Sequence, residues 1–278
     1  MQTPDPTSAA KTDRAYNFPS ANVLGVKLAV TNYGEVVAWM EETVRSGRQA
    51  TLSPAAVNLV ISAREDPAVR EAVARLTVVV PDGQPLVWAL RLLGHRRATR
   101  VYGPELMARF LARAAALQLP QFLYGGRSEE GLAALRERLQ ARFPGLPIAG
   151  AYCPPFRPLT AAERERVIAE INESGAAVVW VGIGQPKQEL WMADLRQHLT
   201  APLLCGVGAA FDFHAGLVPQ APAFLGAAGL EWAWRLAHEP RRLWRRYARQ
   251  NPRFVAAFAK QLWRERLAGS GGYRRGSN

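Results

Sequence analysis

The sequence predicts an α/β fold: a mainly parallel sheet with helices on both faces, followed by a basic helical C-terminal appendage. Two observations predict the sheet. Short apolar runs alternate with stretches of helical periodicity between about residues 50 and 207, the pattern of strands buried on both faces and joined by helical crossovers. Those runs end in small or polar residues, as parallel strands do where they meet a ligand. A third observation predicts the appendage. From Gly229 to Asn278, twelve basic residues stand against three acidic ones, so this tail carries a net +9 of the chain's +12.

In chain order, residues 1–20 are rich in Pro, Ser and Thr and are expected to be disordered. The predicted strands are Ala50–Ser53, Thr77–Val80, Pro120–Tyr124, Pro147–Ala151, Ala177–Gly182 and Pro202–Val207. The helical stretches between and after them are Pro54–Arg75, Gln84–Leu93, Pro104–Leu117, Ser128–Phe143, Thr160–Ser174 and Pro186–His198. The arrangement is Rossmann-like, with a core over 21–225 and the appendage over 226–278.

Cys153 and Cys205 lie in separate segments without C-x-x-C or metal-ligand spacing, which fits a reducing compartment. The opening MQTPDPTSAAKTD has Pro and Asp where a signal peptide needs an apolar run, and no stretch approaches the ~20 apolar residues of a spanning helix. The expected location is therefore cytoplasmic, with any membrane contact made from the surface of its inner face.

The tail has a helical pattern of its own. Arg242, Arg246, Arg249, Arg253, Lys260 and Arg264 share one side of the wheel, and Leu243, Tyr247, Phe254, Phe258 and Leu262 lie roughly opposite. Such a pattern suits a helix lying in an anionic membrane interface. The alternative is a terminal helix packed on the domain with its basic side solvated. Asn251-Pro252, an N-cap followed by a first-turn proline, predicts an interruption and a second helix.

Four turns at strand ends are candidates for a nucleotide or phosphosugar site. They are Pro81-Asp82-Gly83, Tyr124-Gly125-Gly126-Arg127-Ser128, Gly182-Ile183-Gly184-Gln185-Pro186-Lys187-Gln188-Glu189, and Gly208-Ala209-Ala210-Phe211-Asp212. Glycine lets the backbone approach a ligand, and a following helix N-terminus favours phosphate.

With Arg100-Val101-Tyr102-Gly103-Pro104-Glu105, Gly229-Leu230-Glu231-Trp232-Ala233-Trp234-Arg235 and Glu239-Pro240-Arg241-Arg242, these motifs form an ordered series over about Val23 to Tyr247. The series resembles the WecG/TagA/CpsF family, glycosyltransferase family 26. The resemblance implies an inverting transfer of a sugar from a UDP-sugar to a polyprenyl-diphosphate-linked sugar, with no metal and no other cofactor. The sequence contains no D-x-D, the motif that commonly holds a metal on the diphosphate.

Asp82 matches the aspartate to which the family assigns the role of base; the other reading of Asp82-Gly83 is ordinary turn chemistry. Gln188, with Gly184 and Gln185 before it, lies in the element that resembles the family's substrate pocket; Lys187 and Glu189 beside it are alternatively capping or pairing residues. Arg100 is a candidate phosphate contact or a salt-bridge partner. Asp212 is suited to accept hydrogen bonds from a uracil ring and Tyr152 to stack on it, although an aromatic there is also an ordinary core residue. Gly83 and Gly126 complete the turns. The resemblance further implies that tail arginines, taken as Arg235, Arg242 and Arg245, fold over the site and meet the diphosphate through bidentate guanidinium contacts.

One departure concerns the stretch before the first long helix, where the family carries Thr and Asn. Here it reads Thr51-Leu52-Ser53-Pro54-Ala55-Ala56-Val57-Asn58, and Ser53 or Asn58 is the candidate substitute. The Pro85–Trp88 and Tyr102–Pro104 variants look closer to an exopolysaccharide branch. The expected partners are thus a UDP-sugar, a polyprenyl-diphosphate-linked acceptor, an anionic membrane surface and a second copy of the chain, with no nucleic acid. Two other classes remain open: a nucleotide-binding oxidoreductase, which lacks its G-x-G-x-x-G here, and a basic nucleic-acid binder, which leaves Asp82 and the Pro186–Glu189 element unexplained.

Overall fold

The computed structural model describes residues 18–222, 225, 231–238 and 240–270; the side chains at 231, 232, 235, 242, 243, 246 and 268–270 lie outside that description. Two N-terminal elements were not expected. Leu24 and Gly25 both have positive φ, 55° and 97°, so they form the two-residue turn that matches the twist of a hairpin. The turn joins β1 (Ser20–Val23) to β2 (Val26–Ala29) antiparallel, with Val23 opposite Val26. Helix α1 (Tyr33–Arg45) follows. Its Asn32 side chain accepts from the Glu35 N–H while the Glu35 side chain returns to the Asn32 N–H, a complete capping box.

The six predicted strands all form: β3 (Ala50–Ala55), β4 (Val78–Pro81), β5 (Gln121–Gly125), β6 (Ile148–Tyr152), β7 (Val178–Gly182) and β8 (Leu203–Gly206). They make one parallel sheet in the order β4-β3-β8-β7-β5-β6. Side chains alternate between the two faces. Val79, Phe122, Tyr124, Val179, Val181 and Leu204 join one core layer, whereas Val78, Val80, Leu123, Val178, Trp180, Leu203 and Cys205 join the other.

Helices cover both layers. On the first face lie α2 (Val57–Glu65), α3 (Pro67–Ala74), α4 (Gln84–Leu92), α7 (Ala161–Glu173) and α8 (Lys187–Leu195). On the second lie α1, α5 (Gly103–Ala116), α6 (Glu129–Arg142) and the short α9 (Ala210–His214). The single helix expected over Pro54–Arg75 is two. A proline disfavours helical geometry at the residue before it, so Asp66 is extended (φ −116°, ψ 117°) and caps the Ala68 N–H instead.

The appendage holds α10 (Glu231–His238) and α11 (Pro240–Ser270). The interruption expected at Asn251-Pro252 is absent: α11 continues through Pro252. An internal proline costs a helix about 3 kcal/mol, and packing around it offsets that loss. Phe254 and Phe258, with parallel rings 5.9 Å apart, are buried in the first core layer. Gln261 accepts from the Leu24 N–H and donates to the Asn22 carbonyl, tying the helix to the hairpin turn. Arg253 pairs with Glu65 at 2.7 Å. The apolar side expected to meet a membrane is therefore spent largely inside the molecule, since Tyr247 and Leu262 are also part-covered. Among the described residues, Trp244, Val255, Trp263 and Leu267 are the large apolar side chains that α11 leaves exposed.

Candidate active site

The carboxyl ends of β3, β4, β7 and β8 converge where the chain reverses direction across the sheet, the place where such sheets bind ligands. A cleft of about 230 Å³ opens there, lined by Asn58, Asp82, Gly83, Arg100, Tyr102, Gly184, Gln185, Gln188, Gly208 and Phe213, and by Tyr247, Gln250 and Asn251 of α11. A second cleft of about 640 Å³ is lined by Tyr124, Gly126, Arg127, Lys187, Trp191, Asp212 and the segment from Pro154 to Leu159. The two share Gly184, Gly208 and Ala209, so they are halves of one continuous depression.

In the first half, Asp82 follows β4 directly and its N–H bonds the Ala55 carbonyl at 2.8 Å, which holds the turn against β3. Arg100 lies beside it. The guanidinium donates from Nε to the Asp82 carbonyl at 2.6 Å, stands 3.5 Å from Asp82 Oδ1, and covers the Tyr102 ring at 4.3 Å. Arg100 thus forms the salt bridge that was one of its two readings, and it does so within the cleft. Tyr33 supports this corner from α1: its hydroxyl accepts from the Tyr102 N–H, and burial pushes its pKa up to about 12.

Gln185 bridges two loops, donating to the Pro54 carbonyl at 2.6 Å and accepting from the Ala56 N–H at 3.4 Å. Asn58 donates to the Gln185 carbonyl and accepts from Gln250 of α11 at 2.7 Å. Gln188 is almost wholly buried, and its Nε2 donates to Glu189 Oε1 at 2.9 Å. The Ser53 hydroxyl donates to the same oxygen at 2.6 Å. Glu189 is fully buried, and burial raises its pKa to about 6 against the lowering pull of the Ser53, Gln188 and Gln185 side chains. Of the two candidates in the departing stretch, Asn58 lines the cleft and Ser53 stands behind it as a support for Glu189.

In the second half, Arg127 donates to Asp212 Oδ2 from Nε at 2.9 Å and from Nη2 at 2.7 Å. Asp212 is therefore engaged by a cation at the floor of this half. Tyr152 is packed against the core, with its ring stacked on Tyr124 at 5.8 Å; Tyr124 in turn stacks on Trp191 at 4.2 Å. Tyr124 and Trp191, rather than Tyr152, line the depression. Gly126 and Gly184, both at positive φ, shape its walls.

Arg245 is exposed on α11, its guanidinium 5.5 Å from the Trp244 ring. The side chains of Arg235 and Arg242 lie outside the described residues. Residues not anticipated at the site are Tyr247, Gln250 and Asn251 from α11, Arg157 and Phe156 from the loop after β6, and Trp191 from α8. Such a constellation offers a carboxylate beside a cation, amide groups fixed from behind, and an adjoining bay of rings and guanidinium groups. The family model described as "Glycosyl transferase WecG/TagA/CpsF family" matches residues 21–268.

Proposed function

Because the chain belongs to the glycosyl transferase WecG/TagA/CpsF family, and is thereby a glycosyltransferase of cell-envelope polymer synthesis, we propose that it inverts the anomeric centre of a UDP-sugar and delivers the sugar to a polyprenyl-diphosphate-linked saccharide without a metal ion. The transferred group is a hexosyl or N-acetylhexosaminyl unit, and the product belongs to a cell-surface polymer or exopolysaccharide. The observation that supports this best is the continuity of the two half-clefts at Gly184, Gly208 and Ala209, which gives donor and acceptor adjoining places on one rim.

In this reading the second half takes the nucleotide. The exposed Phe156 ring and the part-buried Trp191 suit stacking on a base, and Arg127, Arg157 and Lys187 suit phosphate oxygens. Asp82 takes the proton from the acceptor hydroxyl as that oxygen attacks the anomeric carbon from the side opposite UDP. The bond from that carbon to the diphosphate breaks, and the electron pair leaves with UDP. Arg100 and the tail arginines Arg235, Arg242 and Arg245 offset the developing charge on the diphosphate.

The lipid-linked acceptor brings the protein to a membrane surface. No helix among the described residues is long and apolar enough to cross a membrane. The outward side of α11, where Trp244, Val255, Trp263 and Leu267 stand among Arg249, Lys260 and Arg264, supports a peripheral contact with anionic lipid on the cytoplasmic face. The test is UDP release by the purified protein in the presence of a chelator. Release from a UDP-sugar is expected only when a polyprenyl-diphosphate-sugar is added. Release that is independent of the acceptor, or that is abolished by the chelator, would overturn the reading.

A further inference from the structure

Gln188 and Glu189 are neighbours at the start of α8, yet only Gln188 lines the cleft. Behind the cleft, Glu189 Oε1 is reached by two donors, the Ser53 hydroxyl at 2.6 Å and Gln188 Nε2 at 2.9 Å. An ionised carboxylate only accepts hydrogen bonds. The end of the Gln188 amide that meets it must therefore be the NH2, because the opposite orientation would set two oxygens at hydrogen-bond distance without a proton between them. The carbonyl oxygen is thereby directed the other way. Gln188 Oε1 is buried and has no hydrogen-bond partner among the described residues.

Two glycines fit around this amide. A Cβ on residue 206 would stand 2.9 Å from Gln188 Nε2, and one on residue 208 would stand 3.3 Å from Oε1 and 3.7 Å from Gly184 Cα. Gly184 and Gly208 are two of the residues shared by the halves of the cleft. The unsatisfied acceptor thus lies at the seam where, in the proposed reaction, the sugar of the donor sits between its nucleotide and the base.

We infer that Glu189 is a positioning residue: through the Gln188 amide it presents Gln188 Oε1 as an acceptor for a hydroxyl of the donor sugar. Ser53 is the second support, holding the Glu189 carboxylate in place. This rests on the reading that a UDP-sugar occupies the depression. A buried acceptor left without a donor is costly, so a ligand that supplies the hydroxyl gains selectively over one that does not. The consequence is specific: Glu189 matters for the sugar of the donor and not for its nucleotide.

The experiment is titration calorimetry on the full chain with UDP-glucose, UDP-N-acetylglucosamine, UDP-N-acetylmannosamine and UDP alone. For whichever UDP-sugar binds the wild type, Glu189→Gln and Gln188→Ala are each expected to weaken binding about 10-fold while UDP stays within about 2-fold, the scale of one hydrogen bond. The double variant should bind no more weakly than Gln188→Ala, because Glu189 acts only through Gln188. Ser53→Ala, a milder change that does not depend on Glu189→Gln folding, should show the same selectivity for the sugar with a smaller loss. Unchanged UDP-sugar binding in Glu189→Gln and Ser53→Ala, or equal weakening of UDP and UDP-sugar, overturns the inference and leaves the glycosyltransferase reading standing. A wild type that binds UDP but none of the three UDP-sugars overturns both.

Discussion

Around Asp82 the polar side chains are held by other side chains, whereas around Asp212 the depression is a bay of rings and cations walled by a loop. The first half closes on Gln185, Asn58 and Gln250, each with a hydrogen bond to a neighbouring segment, and on Gln188, whose amide bonds the Glu189 carboxylate beside it. The second half is wider, and Phe156 on the loop after β6 is 86% exposed. The difference teaches where rigidity is placed. The first half is braced from β3, α8 and α11, which suits the fixed geometry that proton transfer and grip on a sugar would need under the proposed reaction. The nucleotide proposed for the second half would be held by stacking and charge, which tolerate a looser wall.

The comparison can be broken first at Asp82. If it is the base, Asp82→Asn should lower kcat about 10³-fold, within the range general-base catalysis supplies, while calorimetric UDP binding, a property of the other half, stays as in the wild type. Near-normal turnover would remove Asp82 from the mechanism. Next in size is the support that α11 gives the first half. Phe258→Ala should destabilise the protein by about 3–5 kcal/mol in a urea titration, as large-to-small aromatic core changes do. A loss below about 1 kcal/mol would mean that the helix is only lightly docked.

Glu189 supplies a pH test of the bracing. Its pKa in the folded protein is raised from 4.5 to about 6, so the folded state keeps its proton longer than the unfolded chain. Its contribution to stability is present below about pH 4.5 and is lost as the pH rises through 6, by on the order of 2 kcal/mol. Glu189→Gln should flatten that part of the curve of stability against pH; identical slopes in wild type and variant would show that the carboxyl titrates normally. The smallest effect is expected from Gln250→Ala, which removes the bond from α11 to Asn58. A loss of about 1 kcal/mol follows from one part-buried hydrogen bond, and limited proteolysis should then cut the chain faster near α11 than in the second half.

How much of this the sequence disclosed depends on how local each determinant is. The six parallel strands and most crossover helices were legible because most of the strands are short, mainly apolar runs bounded by turn residues. The hairpin was not, since Ala21-Asn22-Val23 and Val26-Lys27-Leu28 are too short to show a period, although Leu24-Gly25 makes their turn. The Asn32–Glu35 capping box was present in the sequence and passed over. Asp66-Pro67 broke a helix and Asn251-Pro252 did not. The two motifs are alike, and the apolar residues two and six places after each proline, Val69 and Val73 or Phe254 and Phe258, are all buried in the first core layer, so the local sequence does not tell the two outcomes apart. Asp82, Gln188, Gly184 and Asn58 were readable as cleft residues because strand ends and a short motif carry them. Ser53 and Tyr152 sit one layer back, and Tyr247 and Gln250 arrive only through tertiary docking, so no pattern in their own neighbourhood locates them.

The strand order carries a consequence for synthesis. β3 pairs with β4, and β5 with β6, but these two flanks touch only through β7 and β8, which occupy residues 178–206. A chain leaving the ribosome therefore holds two separate groups of strands with open edges until β8 (Leu203–Gly206) has been made. The two halves of the depression come into being together, when β8 slots in beside β3, and an enzyme truncated before that point has neither.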